Sequence, residues 1–544
     1  MSVVHHASQG AAARRVADMA AWMERRWVVV AVHLALAAVV VSPIFSVTVL
    51  PLVDYPNHLA RMYILAHWAS DPALQQNYVV NWHLLPNMAM EAFVPFLARF
   101  MSIYTAGKLF AAAAILSIPV GTIALRKALV GKVGLWSALT FLLVYNQAFF
   151  WGFLNYLFTA GLALLVFAGW IALRERPWPL RAAIFSVAAV VLYAGHLFGL
   201  FVYGLLVLGY EVWRIRATPG PVLRRLRGGA EAGIQFVVPA ALFVVWTIHN
   251  GSADGALTEF GSLRDRLAIF ASLTNFNILA VDLPTLLFLA CLWPLCRTDE
   301  TVGLVPSMKI PALILAAIAL VMPIYLSGVW GTHLRLPLIL AAVLIAGTRI
   351  TAPDWRPLPY IVGTTLALVL VRTALVTQDW RRVDGEFAEF RQATAAIGRG
   401  ARLLPIGDLE NRRVGGSDLY RMQFGHMASL AIIERSAFVP TEFTGFTMIG
   451  AADGVKAIDT PVGDPISAEV LAKYDDPAHS LYPLGHRFER YVWAFWVGWP
   501  ATFDYAVSIR FSHTANPFPA HLKRLVKGTF FDVYRVVKPG AAPR

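Results

Sequence analysis

Apolar runs long enough to cross a membrane recur along most of this 544-residue chain. A helix of about 20 residues is needed to cross the ~30 Å hydrocarbon layer of a bilayer, and these runs are close to that length. Hydrophobic residues make up 58% of the chain and charged residues only 15%, so a soluble core could not take up all of this apolar surface. The sequence therefore predicts a polytopic α-helical membrane protein.

The first apolar run, from Trp27 to about Leu50, is predicted to be a retained membrane span. It is too long for the apolar core of a signal peptide, and it lacks a small-residue cleavage site. Four arginines precede it, and basic residues concentrate on the cytoplasmic side of a membrane. Residues 1–26 are therefore predicted to form a cytoplasmic N-terminal segment.

The alternation of apolar runs with basic clusters predicts about eleven spans within a transmembrane domain, residues 27–377. The most basic loop, with five arginines between positions 214 and 227, anchors the assignment of the cytoplasmic side. Counting from there places the C-terminus on the outer side. The predicted spans are 27–50, 105–125, 134–150, 155–173, 182–197, 199–213, 230–248, 283–296, 310–327, 336–348 and 359–377.

Two segments are predicted to lie outside the membrane, on the non-cytoplasmic face. Residues 51–104 form an outer loop in which HLARMYILAHWA and MAMEAFVPFLARF have helical periodicity, as expected of helices lying in the membrane interface. Residues 378–544 have nearly balanced charge, with helix-like and strand-like patterns in turn. This composition predicts a small extracytoplasmic α/β domain, with ARLLPIGD, DYAVSIRF and FFDVYRVV as strands and HMASLAIIERS as a helix.

Several functional classes are excluded by composition. The net charge of +13 lies mostly between the predicted spans, where it orients loops, so nucleic acid is not a predicted partner. The two cysteines, Cys291 and Cys296, share one apolar run, so they neither staple the soluble part nor build a metal site. The sequence contains no Gly-rich phosphate-binding loop, which argues against cytoplasmic nucleotide chemistry.

Polar residues gather directly after the first span, in the segment PLVDYPNHLAR. Its two prolines are expected to hold the backbone out of a helix around Asp54, so that the acid faces a cavity at the outer membrane boundary. The alternative is that Asp54 only caps the helix that follows. The polar residues of this segment are Asp54, Asn57, His58 and Arg61.

An acid on the first outer loop, directly after the first span and followed by interfacial helices, resembles the GT-C superfamily of integral-membrane glycosyltransferases. Members of that superfamily often append a soluble extracytoplasmic domain. The resemblance implies that Asp54 is the catalytic base, which deprotonates an acceptor hydroxyl as it attacks the anomeric carbon of a polyprenyl-phosphate sugar, with inversion. Tyr55 stands where many members carry a second acid, and no Trp-Trp-Asp acceptor motif is present. A divalent metal ion is left open, and no other cofactor is implied.

A donor of this kind needs cationic groups for its phosphate. The segment SGVWGTHLRLP is predicted to lie outside and brings His333 and Arg335 to the membrane edge, although an outer arginine runs against the usual charge bias. Phosphate binding is the favoured interpretation. Snorkelling of Arg335 to lipid headgroups is the alternative.

Other polar residues at predicted outer turns could line a sugar site. Asn146 and Asn155 interrupt apolar sequence, and amides suit sugar hydroxyls as well as hydrogen bonds between helices. His196, in YAGHLFG, is either a site residue or a packing residue. Glu91 could be a second acid, but a solvated helix face is the favoured interpretation. In the C-terminal part, His426 lies on a predicted helix without metal-ligand or triad spacing.

These patterns favour transfer of a sugar from a polyprenyl-phosphate donor to a glycan, lipid or protein acceptor at the periplasmic face of a bacterial inner membrane. Membrane lipids are the surrounding partners. Two alternatives stay open: a transporter or flippase of lipid-linked saccharides, and a non-catalytic envelope assembly protein. Transporters tend to show interrupted spans at matching positions of two halves, and the sequence shows no such likeness.

Overall fold

The structure of this protein is a computed structural model, and it describes most of the chain. The described residues are 18–20, 22–250, 258–275, 278–298, 300–326, 329–352, 355–407, 422–444, 447–459, 465–473, 481–483, 491–493, 496–510 and 515–539. Most of the predicted N-terminal segment, 1–26, and the first two residues of SGVWGTHLRLP lie outside these ranges.

Seven helices in the described ranges are long and apolar enough to cross a membrane. They are Arg26–Phe45, Ile103–Val130, Leu154–Ala172, Trp178–Gly195, Leu197–Ala217, Arg225–Ile248 and Pro357–Ala396. Shorter apolar helices are Leu279–Leu292, Pro306–Val321 and Thr332–Gly347. Each predicted span except 134–150 overlaps one of these helices, which confirms a polytopic helical fold.

The predicted span 134–150 has a different structure. Residues Leu135–Leu143 form a 3-10 helix whose side chains are all buried, and a short α-helix, Gln147–Trp151, follows it. A 3-10 helix this long is uncommon, and the indole of Trp136 supports it by donating to the carbonyl of Ile345 at 3.1 Å. The apolar run is therefore an internal packing segment, which hydrophobicity alone does not distinguish from a regular span.

The chain divides into two compact units. Unit 1 is drawn from Met1–Pro43, Leu85–Ala89 and Ala111–Thr377. Unit 2 is drawn from Ile44–Leu84, Met90–Phe110 and Gln378–Arg544.

Close helix contacts in unit 1 depend on small residues. A side chain added at Gly161, on helix Leu154–Ala172, would place its Cβ 2.2 Å from the hydroxyl of Ser117. A Cβ at Gly121 would lie 2.4 Å from the carbonyl of Gly161. The two backbones approach each other because neither glycine has a side chain, as is common where membrane helices pack.

The remaining elements of unit 1 are short. The span Arg225–Ile248 consists of helices Val222–Gly233 and Val237–Asn250 with a 3-10 turn, Ile234–Phe236, between them. Further helices are Leu263–Ala268 and Leu279–Thr298, the last of which includes the apolar helix given above. Two antiparallel strand pairs are Val302–Leu304 with Thr348–Ile350 and Tyr325–Leu326 with Val329–Trp330.

Unit 2 contains a four-stranded sheet with strand order Leu522–Lys527, Phe531–Val536, Tyr505–Ile509 and Leu403–Gly407. The last two strands are parallel and the other neighbours are antiparallel. The three segments predicted as strands each provide one of these strands. The predicted helix HMASLAIIERS is a 3-10 turn, Met427–Ser429, followed by an α-helix, Leu430–Arg435.

The segment that follows the first span packs against and pairs with C-terminal elements of unit 2. Helix Tyr55–His67 packs against Leu430–Arg435. Strand Tyr78–Val80 pairs antiparallel with Ile449–Ala451. Most side chains of helix Tyr55–His67 are buried, so this helix is a core element, whereas its periodicity had indicated one that lies in the membrane interface.

Unit 2 contains several further elements. Helix Ala89–Leu97 exposes Phe93 and Phe96. Helix Pro357–Ala393 belongs to unit 1 as far as Thr377 and to unit 2 from Gln378. The remaining helices are Pro72–Asn77, Ala468–Lys473 and Trp499–Thr502, and a further strand pair is Leu481–Pro483 with Tyr491–Trp493.

Candidate functional site

Asp54 immediately precedes helix Tyr55–His67, whose first turn contains Pro56. A proline is tolerated there because the first amides of a helix have no internal partner. The Asp54 side chain makes no capping hydrogen bond to the helix, and it keeps 19% of its surface exposed. The carboxylate therefore does not cap the helix through a hydrogen bond, which was the alternative to a functional role.

Asn57 lies one turn into this helix and is completely buried. Its Nδ2 donates to the carbonyl oxygen of Thr441 and to Nδ1 of His426, at 3.0 Å in each case. Its Oδ1 accepts a hydrogen bond from the hydroxyl of Ser429. All of its hydrogen bonds here go to residues more than 350 positions later in the chain, so Asn57 ties the helix to the C-terminal part of unit 2.

His426 is the neighbour of Asp54 that sequence reasoning missed. Its Nε2 lies 3.5 Å from Oδ1 of Asp54, and the ring is 5% exposed. Its ring also packs edge to face against Phe443, with centroids 5.1 Å apart. No spacing rule relates positions 54 and 426, because they meet only once unit 2 has folded.

Arg61 forms a buried ion pair with Glu91. The two groups are 2.7 Å apart, and their side chains are 2% and 3% exposed. Glu91 was expected on a solvated helix face, and that expectation is wrong because the carboxylate neutralises a buried guanidinium. The pair places Arg61 in the interior of unit 2.

Two more ionisable groups lie close to this cluster. Burial raises the pKa of Glu442 to about 8, although the nearby charge of Arg61 opposes the shift. Burial also lowers the pKa of His58 well below its usual range, with the charge of Arg61 and the proximity of His426 adding to the effect. Oε2 of Glu442 and Nδ1 of His58 are buried, and neither has a hydrogen-bond partner in the described part of the chain.

A divalent metal ion does not fit these residues. Such ions are held by several oxygen or imidazole ligands that converge on one point. No group of three His, Cys, Asp or Glu side chains in the described ranges has that arrangement. Next to Asp54 stands Tyr55, whose hydroxyl is buried. The chemistry of this cluster is therefore derived without a metal.

A second cluster, in unit 1, surrounds Arg335. Its guanidinium lies 5.0 Å from the ring of Phe153, 5.5 Å from that of Tyr156 and 5.1 Å from that of Phe198. The residue is 6% exposed, and its Nε has no hydrogen-bond partner within the described residues. No carboxylate pairs with it there either. Among the described residues, this buried cation is supported by aromatic faces and has no counter-charge.

His196 and His333 both precede this arginine in the chain. Nδ1 of His196 accepts from the backbone amide of Phe198 at 3.0 Å, so the ring caps the helix that begins at Leu197. The same ring meets Tyr156 edge to face, at 6.0 Å. Nδ1 of His333 is buried, with no hydrogen-bond partner in the described ranges.

The two predicted asparagines have local roles. The Asn146 side chain caps helix Gln147–Trp151 by accepting from the amide of Phe149 at 3.1 Å, and it also donates to the carbonyl of Leu143. Asn155 donates to Oδ1 of Asn87 at 2.9 Å. These bonds hold turns and helix ends together.

The predicted site residues thus fall into two groups, each within one unit. In unit 2, the structure brings Asp54, Asn57, His58 and Arg61 together with His426, Ser429 and Glu442. In unit 1, it brings Arg335 together with Tyr156 and His196. The residues that join the first group from the C-terminal part carried no signal in the sequence.

Comparisons with known proteins bear on the fold. No protein-family model matches the chain, and no curated protein matches it in sequence. Among solved structures, ArnT from Cupriavidus metallidurans bound to undecaprenyl phosphate superposes with a TM-score of 0.51 at 13% identity, over 95% of this chain and 99% of that one.

Two further structures are similar over the same share of this chain. ArnT from Cupriavidus metallidurans in the apo state has a TM-score of 0.49 at 13% identity, over 95% of this chain and 98% of that one. Arabinofuranosyltransferase AftD from Mycobacteria has a TM-score of 0.49 at 16% identity, over 95% of this chain and 40% of that one. With the arrangement of spans described above, the superposition on the lipid-bound ArnT shows that this chain shares the fold of that protein.

Proposed function

We propose that this protein is a membrane glycosyltransferase that moves a sugar from a polyprenyl-phosphate donor to an acceptor hydroxyl, with Asp54 as the general base. The observation that supports this most is the state of Asp54. Its carboxylate directly follows the first span, makes no capping bond and remains partly exposed, within a fold shared with an undecaprenyl-phosphate-bound protein.

The proposed reaction is a direct displacement at the anomeric carbon. The oxygen of the acceptor hydroxyl attacks the anomeric carbon and bonds to it. In the same step, a carboxylate oxygen of Asp54 accepts the proton of that hydroxyl. The bond from the anomeric carbon to the phosphate oxygen breaks, and its electron pair leaves with the polyprenyl phosphate. The configuration at the anomeric carbon is inverted because attack and departure occur on opposite faces. The proton on Asp54 is then released to water.

The proposed partner of the donor phosphate is Arg335. A buried guanidinium that lacks a carboxylate favours an anionic ligand, and arginine binds phosphate oxygens in a planar, bidentate manner. The three surrounding rings hold the guanidinium while its N–H groups remain available. His333 is proposed to contribute through its unpartnered Nδ1.

The acceptor is proposed to be a glycan, lipid or protein at the periplasmic face of a bacterial inner membrane, with unit 2 on that side. The basic loops between the predicted spans support this orientation. Reporter fusions at residues 220 and 539 test it, because the first should be active in the cytoplasm and the second outside.

The central experiment compares wild-type protein with Asp54→Asn. Purified protein in nanodiscs is incubated with radiolabelled undecaprenyl-phosphate pentose or hexose and a membrane extract as acceptor. Transfer of label out of the carrier lipid is then measured. The variant should retain donor binding and lose turnover by about 100-fold or more, because the amide cannot accept the proton.

The matched control is Glu175→Gln, which neutralises an acid that is 86% exposed and should transfer at the wild-type rate. Transfer by Asp54→Asn at the wild-type rate would contradict the proposed base. Movement of intact donor across a vesicle membrane without any transfer would instead identify a transporter.

A further inference from the structure

The amide of Asn57 has one orientation compatible with its surroundings. The group 3.0 Å from the backbone carbonyl of Thr441 must be the NH2, because a carbonyl oxygen can only accept. The Oδ1 atom then faces the hydroxyl of Ser429, which donates to it. The assignment of oxygen and nitrogen is thus fixed by the Thr441 carbonyl, which cannot donate.

This orientation sets the protonation of His426. The second hydrogen of the Asn57 NH2 points at Nδ1 of the imidazole, 3.0 Å away. An N–H can donate only to an unprotonated ring nitrogen, so a neutral His426 carries its single proton on Nε2. A doubly protonated ring would oppose two N–H groups in a buried site, which is unfavourable.

The proton on Nε2 points toward the carboxylate of Asp54, with Nε2 and Oδ1 3.5 Å apart. Hydrogen bonds in catalytic sites are often long before substrate binds and shorten in the complex. His58, on helix Tyr55–His67, interacts with the imidazole, and burial keeps His58 neutral by lowering its pKa. The contact is therefore one between a neutral imidazole donor and a carboxylate.

We infer that Asn57 and His426 are a positioning pair for Asp54: Asn57 fixes the tautomer of His426, and His426 donates a hydrogen bond to Oδ1 of the carboxylate. The bond engages Oδ1 and leaves Oδ2 for the acceptor proton. This role rests on the proposed function of Asp54. The tautomer itself does not, because it follows from hydrogen bonds that the resting protein already makes.

The first test is structural and needs no turnover. Nitrogen NMR of protein labelled at histidine identifies the His426 signals by comparison with His426→Gln. At neutral pH, the wild-type ring should be neutral, with its proton on Nε2. In Asn57→Asp the proton should sit on Nδ1 or on both nitrogens, since a carboxylate accepts where the amide donated. A wild-type ring that is a cation, or that carries its proton on Nδ1, would overturn the inference.

The second test is kinetic, in the transfer assay. Asn57→Asp should lower kcat by about 10- to 100-fold, as is typical when a supporting hydrogen bond is lost, with little change in KM for the donor. His426→Gln keeps an N–H donor near Asp54 and should retain more activity than His426→Ala. The pH profile of kcat should differ between His426→Ala and the wild type, because the variant lacks the imidazole that faces Asp54.

Control variants in the same unit are Asn516→Asp and His521→Gln, which should leave kcat and its pH profile unchanged. If Asp54→Asn abolishes transfer while Asn57→Asp and His426→Ala match the wild type, the positioning role is overturned and the proposed function stands. If Asp54→Asn transfers normally, the proposed function fails and the positioning role fails with it, whatever tautomer NMR reports.

Discussion

Nη1 of Arg372 lies 3.0 Å from Oδ1 of Asp282, and the two side chains are only 2% and 11% exposed. The same guanidinium donates to the carbonyls of Tyr145 and Thr274. This pair joins segments from distant parts of unit 1. It is therefore expected to be a structural cross-link within the helical part of the chain.

Asp282→Asn should destabilise the protein by about 3 to 5 kcal/mol, because it leaves the guanidinium of Arg372 buried without a counter-charge. The measurement is thermal unfolding in detergent. The matched control is Glu175→Gln, which breaks the exposed pair with Arg174 and should change stability by less than about 1 kcal/mol. Equal effects of the two substitutions would contradict a structural role for the buried pair.

Arg335→Lys and Arg335→Gln should weaken donor binding, because the first loses the bidentate geometry and the second also loses the charge. KM for undecaprenyl-phosphate sugar should rise about 10-fold or more, with the glutamine variant affected more strongly. Arg181→Gln is a useful control, since Arg181 also stacks on a ring, that of Trp170 at 3.8 Å, but has no proposed ligand. A similar rise in KM for the control would mean that aromatic packing, not phosphate binding, is what the assay detects.

Glu442→Gln should change how stability depends on pH. Between the usual pKa of 4.5 and the folded-state pKa of about 8, the folded protein keeps a proton that the unfolded chain releases. The free energy of unfolding therefore falls as pH rises, by up to about 1.4 kcal/mol per pH unit from this one group. Glutamine is neutral throughout, so the variant should gain on the wild type as pH increases, when unfolding is followed from about pH 5 to about pH 9. Parallel curves would show that Glu442 ionises normally.

Asp71→Asn should destabilise unit 2, whereas Asp54→Asn should not. Asp71 caps its helix by accepting from the amide of Ala73 at 3.0 Å, and it also accepts from Ser436 and pairs with Arg399 at 2.7 Å. Loss of its charge should cost about 2 kcal/mol. Thermal unfolding of the two variants side by side separates a structural acid from a functional one. A drop of the same size for Asp54→Asn would weaken the case that its carboxylate is reserved for chemistry.

The polytopic fold could be predicted because each membrane span is recognised from the apolar residues of its own segment. Apolar runs identified every helix given above as long enough to cross a membrane, and alternation identified strands such as Phe531–Val536. The segment 134–150 was missed because hydrophobicity alone cannot separate a lipid-facing helix from a buried 3-10 segment. What decides between them is packing against neighbours, such as the contact of Trp136 with Ile345.

Of the residues that form the candidate site, only those in the segment after the first span could be predicted. Asp54 and Asn57 stood out because they are polar residues next to a span. His426 and Glu442 did not, because their partners are far away in sequence and their own segments look like ordinary core. Glu91 was misjudged for a related reason, since helical periodicity does not reveal a buried arginine on another helix.

The long sequence separation in unit 2 has a consequence for biosynthesis. Asn57 and His426 are 369 positions apart, and strand Tyr78–Val80 pairs with residues near 450. At roughly 5 to 20 residues per second, the ribosome adds the partners of helix Tyr55–His67 some tens of seconds after that helix emerges. A nascent chain must therefore hold this helix unpaired during most of its synthesis. Truncation before residue 426 should leave every span in place but no assembled surroundings for Asp54.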